Sequence, residues 1–154
     1  MDPHVLQEVI ISVGYRLLRL HTFDGTYLED KLESVCHIAL TAFMTTLFLQ
    51  IGRRRFLQYR LVGGCLNEVV NRGLDNADQE LMLWLLFVGG ISVVPEEDEH
   101  WLCTSIQQVA RRRGIEDWTE MHRCLRQFPW IGSVHDESGK QLWDLSRTDV
   151  HRIA

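Results

Sequence analysis

Seven histidines, four cysteines and 21 acidic residues are enough material for acid–base, nucleophilic or metal chemistry, provided their spacing brings them together. His135-Asp136-Glu137 is the most polar constellation. It offers a base with two acids, or a set of metal ligands. Consecutive side chains diverge in any regular structure, however, so one site cannot use all three, and the run is expected to be a solvated loop. His37 follows Cys36, a pairing that can make a base and a nucleophile. Neighbours on a helix point about 100° apart and no orienting third group is identifiable, so His37 reads as a core or boundary histidine. Glu96 and His100 stand i, i+4 on one helix face. A metal needs at least a third ligand, so this pair reads as an exposed first turn. If the chain is an enzyme, His37, His100 and His135 are its candidate acids or bases.

The other motifs carry less chemistry. Cys36, Cys65, Cys103 and Cys124 contain no C-x-x-C pair, so neither a metal site nor any cofactor is expected. Each falls on an apolar face, as a reduced core thiol would. Arg53-Arg-Arg55 and Arg111-Arg-Arg113 are short for nucleic-acid contact or nuclear import and suit helix C-termini instead. Gly63-Gly64 and Gly89-Gly90 lack phosphate-loop spacing and point to close helix packing or helix ends.

The elements that would hold these residues are helical throughout. Leu81, Trp84, Leu85 and Val88 recur at i, i+3, i+4 and i+7, while Met82, Leu83, Leu86 and Phe87 fill the other faces. A helix apolar all round must be buried on all sides, so a central helix is expected over about 79–93. The run is too short for the roughly 20 apolar residues of a membrane span. A first helix is expected over 4–21, with Val5, Val9, Val13, Leu17 and Leu20 on its core face. Thr26-x-x-Glu29 is a capping-box signature opening a second helix that runs to about Ile51. A third covers 56–72. Pro95-Glu-Glu-Asp98 opens a fifth, which ends in an arginine turn with Gly114 as the stop. Asp117-x-x-Glu120 caps a sixth. Leu142, Trp143 and Leu145 suggest a short helix docked on the core, and the tail from about Arg147 is expected to be loosely held. The whole is one all-α domain, 1–154, a bundle of six or seven helices.

Bulk properties narrow the function. Apolar residues make up 45%, which indicates a globular chain. A net charge of -5 argues against direct nucleic-acid binding, which favours net positive charge. No charged-then-apolar leader opens the sequence, so a nuclear or cytoplasmic location with no membrane attachment is expected.

The order of motifs adds something that periodicity does not. The run Gln79 to Gly90 is followed by Trp101 after an acidic patch, then Trp118, Phe128-Pro-Trp-Ile131 and Leu142-Trp143. Upstream, Ser34 to Leu49 precedes an arginine-rich turn. Over roughly residues 30–145 this resembles the C-terminal regulatory region of fungus-specific transcription factors of the binuclear zinc cluster type. The six-cysteine cluster that binds DNA in that family is missing here. The resemblance implies a non-catalytic regulatory domain that binds a protein partner, a second copy or a small apolar ligand. The alternative is a small stand-alone enzyme of fungal secondary metabolism, with a Trp/Phe-lined pocket and a histidine acid or base. A gene remnant with a folded core is a third reading.

Overall fold

Nothing charged interrupts Leu81 to Val94, and a helix with that surface is stable only inside other helices. The computed structural model describes residues 2–20, 31–51, 60–72, 79–94 and 98–149. They form seven helices: α1 (Pro3–Leu20), α2 (Lys31–Ile51), α3 (Arg60–Arg72), α4 (Gln79–Ser92), α5 (Glu99–Arg113), α6 (Trp118–Leu125) and α7 (Gly132–Asp149). No strand occurs among the described residues, and the all-α bundle is observed. No helix among them is long and apolar enough to cross a membrane.

The central helix is α4. Every residue from Met82 to Gly89 is buried, with Leu83, Leu85, Leu86, Phe87 and Val88 fully so. It packs against α2, α3, α5, α6 and α7, while α1 lies outside the group against α2. Its two adjacent glycines, about 100° apart round the helix, let different neighbours approach closely. A Cβ on Gly89 would overlap the Leu66 side chain of α3. One on Gly90 would stand 2.6 Å from Leu102 Cδ2 of α5 and 2.7 Å from Leu142 Cδ2 of α7. Gly63 is a third close approach, with its Cβ position 3.2 Å from the Val93 carbonyl oxygen, whereas Gly64 meets nothing.

Helix ends follow the sequence signals where they are described. The Asp117 carboxylate accepts from the Glu120 N–H at 2.9 Å, and the Glu120 carboxylate reaches back to the Glu116 N–H at 3.0 Å. Gly114 stops α5 at φ 67°, donating its N–H to the carbonyls of Ala110 and Arg111. The features expected at Thr26–Glu29, Arg53–Arg55 and Pro95–Glu97 lie outside the described residues.

Two expectations are corrected. The polar run from Ser133 to Lys140 is not a loop before a short helix. It is the first half of α7, which is 18 residues long. Residues 147–149 of the expected tail lie in α7, where Arg147 donates to the Glu116 carbonyl and lies 5.8 Å over the Trp143 ring, and 150–154 lie outside the described residues. The second correction concerns α1. Val5, Val9 and Val13 remain 48%, 50% and 40% exposed, and of that series Leu17 is the member seen buried. Steps of four residues advance 400°, so each drifts about 40° round the helix. The series starts on the outer surface at Val5 and reaches the α2-facing side only at Leu17.

Candidate functional site

The polar groups that the fold gathers lie where α6, the 126–131 turn and α7 meet the middle of α2. Phe128 and Pro129 shape the turn. Trp84 stacks on Phe128 at 5.5 Å and donates its indole N–H to the Pro129 carbonyl at 3.0 Å, so the core helix itself fixes the chain leading into α7.

His135 sits one turn into α7 with no exposed surface. The Ile131 N–H, at the helix start, donates to its Nδ1 at 2.9 Å. Nδ1 also lies 3.0 Å from the Ile131 carbonyl, and Nε2 is 2.7 Å from the Thr46 Oγ1 of α2. The Thr46 hydroxyl in turn donates to the Phe43 carbonyl at 2.6 Å. The ring is stacked on Phe43 at 5.4 Å and tilted against Trp130 at 5.0 Å. Burial pulls its pKa below the usual histidine value, opposed by the Ile131 backbone and the Asp136 charge. His135 is therefore a neutral helix cap and cross-link, not a solvated base.

Asp136 points the other way. It accepts from the Trp130 indole at 2.7 Å and from His122 Nε2 at 2.9 Å. The Trp130 hydrogen bond is the main cause holding its carboxyl below the usual range, with His122 and Arg126 adding to it and partial burial working against it. His122, on α6, stacks against Trp118 at 5.5 Å and meets the Trp130 ring edge-on at 6.5 Å. Gly139 makes room for the two tryptophans: a Cβ there would stand 3.0 Å from the Trp130 ring and 3.1 Å from the Trp118 ring. Glu137 is exposed, so the three consecutive residues do diverge.

A histidine held by a carboxylate is the base-and-orienter half of a nucleophilic triad. The thiol closest to it in sequence, Cys124, lies two positions further along α6 and so points about 200° away. Burial, reinforced by the Glu80 charge, pushes that thiol up to about 11, which keeps it protonated at neutral pH. The pair is arranged to clamp α7 to α6.

The other expected site residues are scattered. His37 is buried on α2 with Nε2 2.7 Å from the Leu17 carbonyl of α1. It is nine residues, about 13 Å along the helix, from the Thr46 that His135 touches. His100 is exposed on the first turn of α5, and Glu96 lies outside the described residues. Thus the fold brings none of His37, His100 and His135 together. Arg111 and Arg112 are exposed at the end of α5, while Arg113 pairs with Glu80 of α4. Cys65, Cys103 and Cys124 are buried and Cys36 is half-buried, none of them in a disulfide. No group of three or more His, Cys, Asp or Glu that could hold a metal occurs among the described residues.

Among the described residues, most of the exposed large apolar side chains are on α1. Val5, Leu6, Val9, Ile11, Val13 and Tyr15 are all exposed, against Leu32, Ile131 and Leu145 elsewhere. Val5, Val9 and Val13 form a continuous stripe beside the face that meets α2. Of the residues sequence reasoning missed, His122 and Trp130 are eight positions apart and Thr46 lies far upstream. Only the four-residue step from Trp118 to His122, which stacks the two rings on one helix, carried a local signal.

Comparison of the chain with protein-family models, with curated proteins and with solved structures found no match.

Proposed function

We propose that this chain is a non-catalytic helical interaction domain, of the regulatory kind implied by its resemblance to the C-terminal region of fungus-specific transcription factors. The observation that carries the reading is the exposed valine stripe on α1. Apolar residues clustered on one helix mark a docking face more often than scattered ones do. The polar cluster supports the same reading, because both nitrogens of its buried histidine are engaged in holding α7 to the core. An acid or base in that position would have to give up one of those bonds. The module acts in the nucleus or cytoplasm, through a protein partner rather than through DNA.

The test is affinity capture of the tagged full chain beside a Val5→Gln, Val9→Gln, Val13→Gln triple variant, with reciprocal capture of each protein found. Glutamine is polar and a good helix former, so the variant keeps α1 intact. Partners held by the wild type and lost by the variant support the reading. Identical partners for both, or turnover of a substrate that survives in the triple variant and is lost in His122→Ala, would contradict it.

A further inference from the structure

The charges along α1 are segregated. Asp2 and Glu8 lie in its N-terminal half, Arg16 and Arg19 in its C-terminal half, and all four are exposed. Measured round the helix axis, Glu8, Ser12 and Arg19 fall on one flank of the stripe, Arg16 projects at its edge between Val5 and Val9, and the other flank turns toward α2. When two such helices pair antiparallel, like flanks face each other, and the acidic half of each meets the basic half of the other.

We propose that the partner seated on α1 is a second copy of this chain, in a two-fold antiparallel pairing of the two α1 helices. The inference rests on the stripe being a docking face. An axis near Ile11 and Ser12 sets the Val9–Val13 segment of each stripe against its counterpart. It also brings Glu8 of each copy within a helical turn of Arg16 of the other, twice by symmetry. A parallel pairing would turn the charged flank of each helix toward the α2-side flank of the other and leave these pairs unformed. Antiparallel pairing also opposes the two helix dipoles favourably. One helix pair covers less than the roughly 800 Å² per partner of a standard interface, so the dimer is weak, with a Kd on the order of 10–100 μM.

Sedimentation equilibrium of the full chain from about 1 μM to 1 mM tests this, with circular dichroism as the check on folding. The wild type is expected to pass from monomer to dimer. Glu8→Arg alone and Arg16→Glu alone should each weaken self-association about tenfold or more, because each turns both attractive pairs into repulsive ones. An equimolar mixture of the two variants should associate with each other about as well as the wild type does with itself. A wild type that stays monomeric throughout overturns the inference, as does a mixture that associates no better than its components. If the chain is monomeric but the valine stripe still determines which proteins it captures, the second copy is refuted and the docking face stands. If the stripe changes nothing in either experiment, both fail.

Discussion

Replacing His135 with glutamine should flatten the acid dependence of stability. The folded protein holds this imidazole neutral, with Nδ1 against the Ile131 backbone and Nε2 against the Thr46 hydroxyl. Its pKa is below 6.5 because burial disfavours the charged form. In the unfolded chain the same ring titrates near 6.5. Between those two values the unfolded state binds more protons, so stability is complete above about pH 6.5 and falls as pH is lowered toward the folded value. One such group contributes a slope of at most about 1.4 kcal/mol per pH unit. Asp136, whose carboxyl the Trp130 indole holds below the usual carboxylate range, acts in the same direction but only in more acidic solution. The difference between the wild type and His135→Gln from pH 6.5 to about 4.5 therefore reports on His135. Urea unfolding followed by tryptophan fluorescence should show the wild type losing more stability than His135→Gln across that interval, by no more than about 1.4 kcal/mol per pH unit. Equal slopes for the two proteins would refute the buried, neutral assignment.

Three further predictions concern the frame. Phe87→Ala empties a fully buried position that faces Trp118, and should cost about 3–5 kcal/mol in chemical denaturation. Gly90→Val would press on Leu102 and Leu142 at once; overpacking of this kind costs about 1–3 kcal/mol and should lower the melting temperature. Asp117→Ala removes the α6 cap, and a loss of about 1 kcal/mol is expected from the same denaturation assay.

The fold was far more legible than the site. The central helix could be placed because an all-round apolar surface needs no knowledge of its surroundings, and it ends at Ser92, one residue short of the expected limit. Gly114 and Asp117 were readable because caps act within three or four residues. The start of α7 was not readable, for a definite reason. Its buried face is His135, Gly139, Leu142, Trp143 and Ser146, at steps of four, three, one and three. That is helical spacing, but three of the five residues are not hydrophobic, and a search for apolar periodicity passes over them. On α1 the failure ran the other way: the apolar residues are there, but their periodicity does not say which sector meets the core. The link between His122 and Asp136 joins different helices and depends wholly on how α6 docks against α7.

The claim that the valines of α1 face outward while α4 completes the core without them is tested most directly by the unfolding free energy of the Val5→Gln, Val9→Gln, Val13→Gln variant in dilute solution. Surface substitutions of this kind change stability by no more than about 0.5 kcal/mol each. Three buried valines would instead lose about 1.5–3 kcal/mol apiece. A variant as stable as the wild type is the predicted result, and one that has lost most of its stability would contradict the account.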